Sequence, residues 1–432
     1  MRLTLLLIAC CAVAAETPKL PEPYQSIVEL SHAAPTEFAA DALLRLVESG
    51  KIADRDARRD LVEQAFRLAP GAKFAVRMRG VPGTTQDTRS GFLSQAYELK
   101  LDALSLQSRA VEDMLRIDPA KARKMFLEIP PPLLAPLTCD DALVYDLSDF
   151  YFALGAVVNG AFNQQERGKD EHLNFLLDYV GQVSSPAQVA PLAQAIQNAG
   201  LSKEQREAVW IRFNGMLQNL RSDDRSFSSL KFDPALGTSA EGDALLRSME
   251  SKTHGCKDDA VQARGSNDAK TPKLERYWQS AESKQILEDG RKLRFAPQGT
   301  LLTDADRSAP EWQQQLADYQ SALAAWSASS EKSEGDYYNE KCLAYIALVE
   351  LIPPGPQRDR TLGFFLDFVT SSGLQQQSPV EWYFQAKSML ERARSSNNGD
   401  PASVLDAFER SGNPVLSLEV ALEKALGTRP QS

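Results

Sequence analysis

One stretch leaves this chain few folding options: Gly91 to Ile117, GFLSQAYELKLDALSLQSRAVEDMLRI. At about 100° per residue it reads as a single helix with two apolar stripes. Tyr97, Leu101, Leu104, Val111 and Leu115 form one stripe, with the small Ser108 completing the spacing. Leu99, Ala103, Leu106, Ala110, Met114 and Ile117 form the other. The one fully polar arc holds Asp102, Ser105, Arg109, Glu112, Asp113 and Arg116. A surface helix buries one stripe, whereas a helix with two needs neighbours on both sides. The stretch therefore predicts an interior helix in a layered all-α protein, with Arg109 in its solvated arc. Asp118-Pro119 ends it and starts the next helix, Asp118 as N-cap and Pro119 at the first helical position.

The rest of the chain repeats this grammar. Helices are expected over Thr36–Val47, after Asp54, and over Pro119–Ile129, Asp149–Phe162, Leu173–Val180, Pro186–Asn198 and Ser202–Leu220. Further helices are expected over Lys273–Leu293, Pro310–Ser327, Tyr337–Ile352, Arg358–Thr370, Pro379–Arg394, Pro401–Glu409 and Pro414–Leu426. Lys73–Asp87 reads as an extended loop crossing helix ends, with a short strand as the alternative. The fold class is all-α: an array of αα-hairpins, solenoid-like or two-lobed, without a substantial sheet. No fixed repeat period registers, including the tetratricopeptide pattern. The domain organisation is a signal peptide over 1–15, a helical domain over 16–220, a polar loop-rich connection over 221–271 and a second helical domain over 272–432. One helix is expected inside the connection, at Ala240–Glu250.

The N-terminus, MRLTLLLIACCAVAAETP, reads as a secretory signal: one positive charge, an apolar run and small residues before a linker. The expected location is exported, in the periplasm, in the cell envelope or secreted. A lipid anchor on Cys10 is the minor alternative. No apolar run approaches the roughly 20 residues that span a bilayer. With a formal charge of −10 and no basic cluster, the chain is a poor match for nucleic acid. Beyond the signal lie three cysteines. Cys342 falls in register with Tyr338, Tyr345, Val349 and Ile352, so it is expected to be a buried thiol. Cys139 and Cys256 sit in polar loops and form the expected disulfide.

No catalytic or cofactor-binding constellation is legible. The three histidines, His32, His172 and His254, are far apart, and no nucleophile elbow or phosphate-cradling loop occurs. His254-Gly255-Cys256-Lys257-Asp258-Asp259 has ligand-type side chains, but loop polarity accounts for it; no metal or cofactor is expected. Trp278, Trp312, Trp326 and Trp382 are the candidate binding aromatics, since Trp is a favoured interface anchor. The expected function is a binding or scaffold protein for a protein or peptide partner, leaning away from an enzyme. The alternative is an α/α-toroid hydrolase acting on glycan or peptide with carboxylates from several helices.

Overall fold

In the computed structural model, residues 20–81, 88–229, 240–252, 281–327, 334–371, 378–395 and 400–427 are described. They form 20 helices and one two-stranded sheet. The chain opens with α1 (Glu22–Ser31), α2 (Thr36–Glu48) and α3 (Arg55–Leu68). Asp54 caps α3 by accepting from the Ala57 amide. α1 is not among the helices expected from the sequence.

The stretch that anchors the sequence reading is two helices, not one: α4 (Thr88–Tyr97) and α5 (Ala103–Ile117). Lys100, with φ of 56°, turns the backbone left-handed between them. The start of α5 is built by other groups. Asp102 accepts from the Ser105 amide, while the Ala103 and Leu104 amides donate to the carbonyls of Phe74 and Ala75, at 2.8 and 3.1 Å. Donors that a continuous helix would have satisfied internally are thus met by the preceding loop. That loop supplies β1 (Met78–Gly80), which pairs antiparallel with β2 (Leu143–Tyr145) in the register Arg79 to Val144. A short strand thus stands where an extended loop was expected.

α5 is interior, as its two stripes require. It packs against α2 and α3, then against α6 (Pro119–Glu128) and α7 (Ser148–Gly160). Asp118 caps α6 through the Lys121 amide. α8 (Gln164–Gly168), α9 (Glu171–Gly181), α10 (Val189–Asn198), α11 (Lys203–Gln218) and α12 (Ala240–Lys252) extend the array in that direction, α12 packing on α11.

The C-terminal helices build from the opposite end. They are α13 (Ala281–Lys292), α14 (Asp304–Arg307), α15 (Pro310–Ala325), α16 (Glu334–Leu351), α17 (Pro356–Thr370), α18 (Pro379–Ser395), α19 (Pro401–Arg410) and α20 (Pro414–Leu426). Gln320 of α15 donates to Thr361 of α17, and α20 returns to pack on α1 and α2. α4 adds a second crossing by packing on α16 and α18. One apolar core accordingly runs from Ile27 through Leu106 and Cys342 to Leu422. None of the described helices is long and apolar enough to cross a membrane.

The seam where the chain's two ends meet is ionic as well as apolar. Arg45 on α2 bonds Glu419 on α20 at 2.8 Å and lies 3.7 Å from Asp41. Arg109 reaches from α5 to the same Asp41, at 2.5 Å, and to both oxygens of Glu48. Asp41 is completely buried. Arg109, in the arc that reads as solvated in the sequence, therefore faces α2 and bridges helices, while Arg116 of the same arc is exposed.

Candidate functional site

α16 is the helix to start from, because its sequence is more apolar than a one-sided helix needs. Cys342, Leu343, Ala344, Tyr345, Ile346, Ala347, Leu348 and Val349 follow one another without a polar residue. Tyr338, Cys342, Tyr345, Val349 and Ile352 are all buried, as the stripe predicts, and Cys342 is a free thiol. Burial pushes that thiol well above its ordinary range, so it behaves as a small apolar group. Leu343 does not share this burial: it is 39% exposed.

Leu343 faces a groove with a cavity of about 390 Å³. One wall is α16, through Glu340, Leu343, Ala344, Ala347, Leu348 and Leu351. The other is α13 and the turn after it, through Leu287, Gly290, Arg291 and Arg294. Ile286 and Leu293 turn to the core, so Leu287, one residue on, is left 41% exposed at the groove. Tyr319 of α15 lines the site, and burial pushes its phenol up to about 12. A Cβ on Gly290 would sit 2.8 Å from the Tyr319 oxygen, so glycine is what lets α13 approach α15 here.

Arg294 ties the two walls together. It donates to the Ala347 carbonyl at 2.7 Å and lies 3.5 Å from Glu350. Arg291 pairs with Glu288 on its own helix at 2.8 Å, both side chains being about half exposed. Behind the groove, Lys341 closes the end of α15 by donating to the carbonyls of Ala324 and Trp326 and sits 4.8 Å above the Phe368 ring. Burial pulls its ammonium down to about 8.

The candidate tryptophans behave differently from one another. Trp312 and Trp326 are core residues, 5% and 2% exposed, and not surface anchors. Trp312 begins the inward stripe Trp312, Leu316, Tyr319, Leu323, and its indole N–H donates to the Leu293 carbonyl at 3.0 Å. Trp382 is half-buried beside Tyr383. Trp278 lies outside the described residues, as do the N-terminal signal with Cys10, and His254 and Cys256. Cys139 is exposed and disulfide-bonded, and no bridge joins two described cysteines.

A second concentration of chemistry lies along α5. Arg77 contacts Asp146 and Asp149 at 3.1 and 3.2 Å, and Asp149 also accepts from Lys100 and Ser105, each at 3.0 Å. Asp146 is held below its ordinary value: burial works against its charge, but Arg77 and Ser148 outweigh it. Burial pushes Asp102 up to about 6. Glu112 and Asp113 rise to about 7, chiefly through burial and then through neighbouring carboxylates, Asp149 and Asp113 for Glu112 and Glu48 for Asp113. No group of three or more ligand-type side chains placed to hold a metal ion occurs among the described residues. No known family, curated protein or solved structure matches this chain.

Proposed function

We propose that this protein is an exported helical binding or scaffold protein that captures a protein or peptide partner in the groove between α13 and α16. The observation that carries the reading is the pairing of Leu287 and Leu343, two large apolar side chains left open on facing helices beside Ala344 and Ala347. Keeping such a patch in water has a cost, and on folded proteins these patches mark interaction sites. Arg291 and Glu340 line the groove beside these apolar side chains, a mix of charged and apolar groups that interfaces share.

The test is selection of a random displayed peptide library on the intact protein, with the enriched binders then measured on variants. Binding is expected to fall at least about tenfold in Leu343→Glu, the loss of one central apolar anchor. It is expected to be unchanged in Ile211→Glu, at a residue 74% exposed on α11. Binders indifferent to Leu343 would overturn the assignment.

A further inference from the structure

We infer that the partner's contact element is an amphipathic α-helix, carrying acidic side chains along the edge that meets Arg291. This rests on the peptide-binding reading and narrows it. The apolar positions of the α16 wall, Leu343, Ala344, Ala347, Leu348 and Leu351, recur at intervals of three and four. Leu287, Gly290 and Arg294 on the opposite wall recur at the same intervals. Two helical walls with this spacing present the holes into which a further helix sets its own knobs. Ala344, Ala347 and Gly290 keep the floor low enough for close approach.

Two other occupants fit less well. An extended peptide is held by pairing its backbone with a strand edge. Both long walls of this groove are helices, whose amides and carbonyls are already bonded along the chain. An acyl chain gains most from a cavity that surrounds it. Leu287 and Leu343 are each some two-fifths exposed, which leaves the groove open along one side, and an amphipathic helix meets that opening with its polar face. The wall from Glu340 to Leu351 is about 16 Å long at 1.5 Å per residue, three turns of a partner helix.

Charge sets the orientation. On the α13 rim, Arg291 is bound to Glu288 through a pair in which both partners are about half exposed. Such pairs contribute little and exchange partners readily. A carboxylate on the incoming helix can take over the guanidinium without leaving a buried charge behind.

The experiment uses the full chain and fluorescein-labelled peptides of about 18 residues, long enough to hold helical structure. All have leucine at heptad a and d positions. One has Glu at the flanking positions, one Lys, and one is the Glu version with a central proline. The Glu-flanked peptide is expected to bind, and the Lys-flanked one to bind about tenfold more weakly at low salt, with the gap narrowing as salt rises. Arg291→Glu should reverse that order, and Leu343→Glu should abolish binding while helical circular dichroism is unchanged. If the proline peptide binds as well as its parent, the groove takes extended peptides: the helix inference fails and the peptide-binding reading stands. Equal binding of the Glu and Lys peptides overturns the charge assignment. If cis-parinaric acid binds and none of the peptides does at about 100 µM, a concentration that detects even weak complexes, the occupant is an acyl chain and both readings fail. If nothing binds, both fail as well.

Discussion

Arg109→Ala is expected to destabilise the fold by about 3 kcal/mol, a core-sized loss from a residue that reads as surface. The guanidinium holds Asp41, which is fully buried, and both oxygens of Glu48, which is about a third exposed. Arg109 stays charged above its ordinary range: burial works against it, but Asp41 and Glu48 outweigh burial. Removing one member of a buried pair costs roughly 3–5 kcal/mol, because the other charge is stranded. The low end applies, since Arg45 remains 3.7 Å from Asp41. The Glu48 arm adds less than about 1 kcal/mol, as partly exposed pairs do. Urea denaturation followed by helical circular dichroism measures the loss. Removing both charges, in Asp41→Asn with Arg109→Met, should return stability to within about 1 kcal/mol of the parent, because nothing is then stranded. A loss below about 0.5 kcal/mol in Arg109→Ala, the range of an ordinary surface change, would refute the argument.

Gly290→Ala should lower the thermal midpoint, its Cβ meeting the Tyr319 oxygen at 2.8 Å, an overpacking worth about 1–3 kcal/mol; Tyr319→Phe in the same chain should restore much of it. The raised carboxyls of α5 give a pH dependence of defined sign. Asp113, with Glu48 and Arg109 facing it, and Glu112, facing Asp149 and Lys100, are pushed to about 7. Their contribution is full below the unfolded value near 4 and is lost as pH rises through 7. The urea midpoint should thus be higher at pH 5 than at pH 8, and Asp113→Asn should shrink the difference. Mass spectrometry of an unreduced digest should find Cys139 bridged to Cys256 and Cys342 free; a bridge that includes Cys342 would contradict its place in the core.

The sequence carried the periodic part of this structure and missed the parts decided by neighbours. The α16 stripe from Tyr338 to Ile352, the Asp118 and Asp54 caps and the all-α class follow from spacing and local hydrogen-bonding chemistry. The break at Lys100 does not. Glu98, Leu99, Lys100 and Leu101 are acceptable helix formers, and the apolar stripes run straight across them. What ends the helix is a pair of carbonyls at Phe74 and Ala75, distant in sequence. Arg109 misleads for a related reason, since a polar arc looks the same whether it meets water or the acidic residues of α2. The groove had one legible trace. A helix apolar at eight successive positions must bury every side or leave one open for a partner, and Leu343 is the open one. Nothing in the α13 sequence distinguishes Leu287 from Ile286; only the packing on α15 decides which of the two turns inward.

The return of α20 onto α1 and α2 means that order along the chain is not order in space. Among the described helices, α1 and α2 come first in the chain, yet the helix that covers them, α20, comes last. Rearranging the chain would undo this. A linker from residue 427 to residue 20, long enough to run the length of one helix (about 20 Å for α20), with new ends opened between 252 and 281, would let the array be laid down from one extremity to the other. Contacts such as Arg45 with Glu419, now 374 residues apart, would be separated by only a few tens of residues. With less loop entropy to overcome, such a permutant should reach the same fold faster.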